Sequence, residues 1–206
     1  YAAVPVQWSC HIDDGTGDGS YQSMRHEEFL DLSGNPPMRA LSLELLECLG
    51  EEGPVLEWTR YEEGVLKNLL ELYPDLAVPL TRIIDRLYDL HPVVKDNYYH
   101  PDMLGSWSIK AVLPTINAEM DYKKLEGIRE GTAASNGFLE AIGPETDMLR
   151  KRELEHQLRR YDRRGVWCRR RVGFSHIPGS RRHCAGRQHR SLRQHGLLRF
   201  GRLPGP

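Results

Sequence analysis

With 206 residues, the chain is long enough for one domain with a real core. Its mean hydropathy is −0.56 and no apolar run approaches a membrane span, which excludes a helical membrane protein. The formal net charge of −1 hides a division: residues 1–161 hold 16 Lys and Arg against 28 Asp and Glu, whereas residues 162–206 hold 12 Arg, no Lys and one acid.

That division, a net of −12 followed by +11, predicts a domain over 1–161 and a separate Arg-rich tail over 162–206. The opening residues, Tyr1 to Val6, have neither the basic segment nor the apolar core of a secretory leader. Cys10, Cys48, Cys168 and Cys184 form no CxxC pair, so reduced thiols in the cytoplasm are expected. The missing initial Met is read as the mark of a fragment or an incomplete gene.

In chain order, Val4, Val6, Trp8, Cys10 and Ile12 alternate with polar residues, which predicts a half-buried strand. Asp13 to Gly19 is a turn-rich loop that lacks the alternate ligands and closing Glu of a calcium loop. Arg25 to Leu32 reads as the returning hairpin strand, broken by Gly34-Asn35-Pro36-Pro37. Met38, Leu41, Leu45 and Leu49 have helical spacing, with Gly50 as C-cap.

Pro54 to Trp58 is a short buried strand, and Tyr61 to Tyr73 a helix ended by Pro74. Leu76, Leu80, Ile83 and Ile84 continue as a helix, and Leu87 to Leu90 as a further short strand. Thr132 to Ile142 reads as a helix, and Thr146 as the cap of a last one carrying Leu154, Leu158 and Tyr161. Strands alternating with helices point to α/β layers.

The most unusual stretch is Tyr98 to Pro114, YYHPDMLGSWSIKAVLP. It reads as a polar, aromatic loop that turns at Gly105-Ser106 and enters a short helix at Ile109. Ser106 or Ser108 would cap that helix and Pro114 would stop it. His91 and His100, each followed by Pro, read as turn residues.

Beyond residue 161 no period persists. Two readings stand: a basic arm neutralising the phosphates of a nucleic acid, or GC-rich DNA translated out of frame. The absence of Lys among twelve basic residues favours the second. Cys168, His176, His183 and Cys184 fit no standard zinc spacing.

Four phrases, Pro5-Val6-Gln7-Trp8-Ser9, Tyr61 to Leu66, Asp85 to Leu90 and Tyr98 to Pro114, together resemble a bacterial family, domain-of-unknown-function family 2779. Its members read with a PFQWS-like strand and a GSxSIKxVLP phrase. The likeness runs over residues 1–161 and is sharpest from Gly105 to Pro114. That family is similar to ribonuclease H-like proteins, in particular proofreading-type 3′–5′ exonucleases. The resemblance implies an α/β fold, a mixed sheet with flanking helices, N-terminally truncated and with an irregular C-terminal tail. It also implies a metal-dependent phosphodiesterase using Mg or Mn.

Such a site takes two divalent cations held by acidic side chains. Carried onto this chain, the first-strand Asp-x-Glu pair would precede Tyr1, the middle acid matches Glu62, and the last Asp would fall at Gly165. Asp162, three residues earlier, would point about 60° away on a helix. The implied catalytic residues are therefore Glu62, Asp89 and Asp85, with Glu62 also the metal ligand.

Each also has a structural reading. Glu62 suits a helix start and Asp85 and Asp89 suit loops. Tyr98, Tyr99, Ser106, Trp107, Ser108 and Lys110 are the implied nucleic-acid contacts, the rings stacking on single-stranded bases or packing the loop onto the body. With so few ligands placed, poor catalysis is expected, and the rival reading is a non-catalytic module that binds nucleic acid or protein.

Overall fold

The ten-residue strand β1 (Val4–Asp13) is buried on both faces. The structure, a computed structural model, describes residues 4–15 and 20–164 and the backbone of two short strands, 168–170 and 199–201. Expectations for the rest of the tail, including Gly165, lie outside the described residues.

β1 pairs antiparallel with β2 (Arg25–Leu30), from Gln7 opposite Leu30 to Ile12 opposite Arg25. β3 (Val55–Glu57) and β4 (Leu87–Asp89) are parallel, with Glu57 level with Asp89. Between β1 and β3 runs β5 (Cys168–Arg170), parallel to β1 and antiparallel to β3, and β6 (Arg199–Gly201) pairs with Val4 to Gln7 of β1. The sheet order is β2-β1-β5-β3-β4. The protein is thus a mixed α/β fold.

One core lies between this sheet and three helices, α1 (Met38–Leu49), α2 (Tyr61–Leu72) and α3 (Ala77–Ile84). Trp8, Cys10 and Ile12 meet Leu41, Leu45, Leu66, Leu69, Leu80 and Ile83 there. Each such leucine contributes about 1.5–3 kcal/mol by leaving water. Gly50 takes φ 51° and its N–H closes α1 on the Leu46 carbonyl, as its cap position demands.

A second core joins Val6 and the loop residues Tyr122, Leu125 and Ile128 to α6 (Gly131–Ala141) and α7 (Met148–Asp162). A third gathers Trp58, Met103, Ile109 and Val112 where α4 (Leu90–Asn97) and α5 (Ile109–Ile116) meet the β3–α2 turn.

Four expectations are corrected. The alternate residues of β1 are buried, not solvated, because α7, β2 and the Tyr21 turn supply their partners. Gln7 donates to the Leu158 carbonyl at 3.2 Å, Ser9 meets His26 Nε2 at 2.9 Å, and His11 Nε2 meets Tyr21 Oη at 2.8 Å. Pro114 sits inside α5, which ends two residues later. The cap of α7 is Asp147, accepting from the Leu149 and Arg150 amides, while Thr146 Oγ1 donates to the Glu140 carbonyl. His91, expected as a turn residue, lies in α4, with Asp89 as N-cap and Pro92 in the first turn.

The His11 and His26 rings lie 4.8 Å apart, opposite each other on β1 and β2. Burial first, then each other's charge and that of Arg163, hold His11 down at about 4; burial and Arg163 also lower His26. The neutral forms are therefore favoured in the fold. The contribution of His11 to stability is complete above about 6.5, the unfolded value, and is lost as the pH falls toward 4. We expect the His11 ring, followed by NMR, to titrate near pH 4. A midpoint near 6.5 would contradict this burial.

Candidate functional site

The carboxyl ends of β3 and β4 carry a group of acids of which Glu57 and Glu62 are buried. Glu57 closes β3, is 2 % exposed, and stands level with Asp89 on the neighbouring parallel strand. The chain then turns through Trp58-Thr59-Arg60 into α2, whose first turn holds Glu62 and Glu63. Glu62 is 1 % exposed, at the head of the buried stripe that continues with Val65, Leu66 and Leu69. Glu57 Oε2 accepts the Glu63 amide at 3.2 Å, so its carboxylate reaches the helix start.

The turn is strained. Thr59 has φ 72°, a left-handed value that a β-branched residue reaches at a cost of about 1–3 kcal/mol. Asp89 holds it there: Oδ1 accepts the Thr59 amide at 2.9 Å and the His91 amide at 2.9 Å. One carboxylate oxygen thereby fixes the β3–α2 turn and caps α4. Trp58 packs edge-on against His91, with ring centroids 5.8 Å apart, and joins this turn to the 98–108 loop through the third core.

Desolvation by burial, reinforced by the charges of Asp89 and Glu63, pushes Glu57 up to about 7. Near neutral pH it sits between its two protonation states. Among the described residues, no group of three His, Cys, Asp or Glu could hold a metal ion.

The structure separates the residues that the sequence grouped. Glu62 and Asp89 border the same turn. Asp85 is exposed, caps the C-terminus of α3, and lies at the opposite end of β4. Tyr98 is half-buried, its hydroxyl 3.0 Å from Thr115 Oγ1 and its carbonyl accepting the Trp107 indole N–H at 3.3 Å. Both rings therefore pack the loop onto the body, whereas Tyr99 is largely exposed.

Ser108 occupies the N-cap position of α5 without a side-chain cap bond; its amide donates to Ser106 Oγ at 3.3 Å. Lys110 donates to the Arg129 carbonyl at 3.1 Å, with its ammonium 5.2 Å from the Tyr122 ring centre and 5.3 Å from that of Tyr161. That geometry clamps α5 to α7.

Sequence reasoning missed Glu57 and Thr59. The signal for Glu57 was an acid inside the apolar phrase Val55-Leu56-Glu57-Trp58, directly before a helix. Thr59 left no sequence signal, since its conformation follows from the Asp89 bond.

The family described as Domain of unknown function (DUF2779) matches residues 1–108, a span that includes β1 to β4 and the loop as far as Ser108. Comparisons with curated proteins and with solved structures give no match.

Because the Glu57 carboxyl is raised in the fold, its contribution is complete below about 4.5 and is lost as the pH rises through 7. Glu57→Gln should therefore gain stability over the parent at pH 8, by the order of 1–3 kcal/mol, and gain little at pH 4.5. Denaturant unfolding at the two pH values checks this, and an equal effect at both would contradict it.

Proposed function

The chain belongs to the family Domain of unknown function (DUF2779), and from that premise we propose a ribonuclease H-like fold bearing a metal-dependent phosphodiesterase site of the 3′–5′ exonuclease kind. The observation that carries the reading is the placement of buried Glu57 and Glu62 and of Asp89 around one strained turn at the carboxyl ends of parallel strands. Open α/β sheets bind ligands outside those ends. A hairpin, β1 and β2, in one sheet with a parallel pair and flanking helices agrees with the fold. Residues 1–161 supply every proposed site residue in this reading, while β5, from the Arg-rich stretch, joins β1 to β3 in the sheet.

Glu62 is the proposed ligand of Mg or Mn, with Glu57 beside it and Asp89 holding the turn. The donor chemistry fits, because hard divalent cations take carboxylate oxygens and keep waters in their shell. The number of donors does not: the described residues supply only part of a shell, and two-metal hydrolysis needs both cations fixed. This chain is accordingly a poor catalyst. Asp85, at the far end of β4, has no part in the proposed site.

A second reading, a non-catalytic binding module, is favoured by the exposed Tyr99 and Leu104 of the 98–108 loop.

Titrating the full chain with Mn and reading the free ion by electron paramagnetic resonance should show weak binding that Glu62→Gln reduces at least fivefold. Release of label from a 3′-labelled oligonucleotide with Mg should be slow, and slower in the variant. Mn binding indifferent to Glu62→Gln would overturn its role as ligand. Oligonucleotide binding that weakens with salt, without any cleavage, would favour the binding module.

A further inference from the structure

His11 on β1 and His26 on β2 stand opposite each other in the hairpin, His11 buried and His26 half-buried. Each Nε2 has an uncharged partner: Tyr21 Oη at 2.8 Å for His11 and Ser9 Oγ at 2.9 Å for His26. Glu28 Oε2 lies 3.9 Å from His26 Nε2, beyond hydrogen-bond range. The pair is therefore satisfied in its neutral form and has no carboxylate bonded to it.

The C-terminal half of α7 meets the same hairpin. Arg159 donates to Glu28 Oε1 at 3.0 Å, and the Leu158 carbonyl accepts from Gln7 at 3.2 Å. Burial comes first in holding both rings toward the neutral form, and the Arg163 charge at the end of α7 adds to it. Glu28 thus stands between the imidazole pair and α7. The other charged residues that these elements carry nearby are Asp13 on β1, Arg25 on β2, buried Asp162 on α7 and, from β5, Arg170 level with Asp13. A proton added to the pair meets no surplus of acid.

We propose that the facing pair His11 and His26 is a proton-operated release for the C-terminal half of α7. Charged imidazoles repel each other and Arg163, and a charged His26 draws Glu28 away from Arg159. Both changes loosen the same end of the helix. Since the docked state resists protons that the released state accepts, acid favours release. Release uncovers Val6, Leu158 and Tyr161 in the second core, and it takes the Tyr161 ring from Lys110, so α5 loses part of its clamp. The first core has no member in α7 and outlasts the release.

Hydrogen exchange of the full chain, read by mass spectrometry at pH 6.5 and 4.5 and corrected for the intrinsic rates, tests this. Protection over residues 148–162 should fall by about tenfold per pH unit for each proton taken up. Residues 38–49, in α1, should stay at least about tenfold better protected than 148–162 at pH 4.5. Arg163→Gln changes an exposed side chain, so the variant should fold, and removing that cation should restore protection of 148–162 at pH 4.5 by about threefold. His26→Gln keeps a partner for Ser9 and takes up no proton, and should restore more.

Unchanged protection of 148–162 between the two pH values would overturn the proposal. So would equal protection of 148–162 and 38–49 at pH 4.5, which would make the loss global unfolding. Acid loss that persists in full in Arg163→Gln would overturn it as well, even where His26→Gln fails to fold, and would assign the effect to protonation of a carboxylate such as Glu28.

Discussion

One carboxylate oxygen, Asp89 Oδ1, ties together two elements that also meet through the Trp58–His91 contact and the third core. By accepting the Thr59 and His91 amides it fixes the turn from β3 into α2 and starts α4. The left-handed Thr59 is the price of that turn, and two hydrogen bonds to a charged acceptor, about 1.5–3 kcal/mol each, are enough to hold it. With the turn in place, Trp58 packs against the 98–108 loop and Glu62 is swung into the interior at the head of α2. The candidate site and the exposed loop beside it thus depend on the same atom.

Buried charge is the second constraint. Glu57 and Glu62 are almost wholly out of water, and a carboxylate in such a place is costly unless compensated. The fold compensates Glu57 in part, through the Glu63 amide, and in part by raising its proton affinity. A divalent cation would compensate further, which is why this end of the sheet, and not the acidic surface at large, is the place to look for chemistry. Buried His11 and its half-buried neighbour His26 are compensated differently. Both imidazoles are held toward the neutral form, and their pH dependence runs opposite to that of Glu57.

Elements with a clear period were legible in the sequence. β1, α1, α2 and α7 fall within a few residues of expectation, because Trp8, Cys10 and Ile12 alternate and the helical leucines recur every three or four residues. The burial of the second face of β1 was not legible. It depends on α7, about 150 residues away, meeting Gln7 through the Leu158 carbonyl. Helix α4 was overlooked because His91-Pro92 reads as a turn, although Asp89 followed by Pro92 is also a helix start.

The site was legible only in part. The phrase at Glu62 stood out, whereas Asp85 was grouped with Asp89 by nearness in sequence, and a strand of three residues carries the two to opposite ends. Lys110 was read either as a phosphate contact or as a solvent-facing residue at a helix start. Its rings, Tyr122 and Tyr161, come from beyond that loop.

The most direct test of this account is a crystal of the protein soaked in Mn and measured at the manganese edge. The account predicts an anomalous peak beside the Glu62 and Glu57 carboxylates, at the carboxyl ends of β3 and β4. A peak elsewhere, at Asp85 for example, or no peak at millimolar Mn, would contradict it.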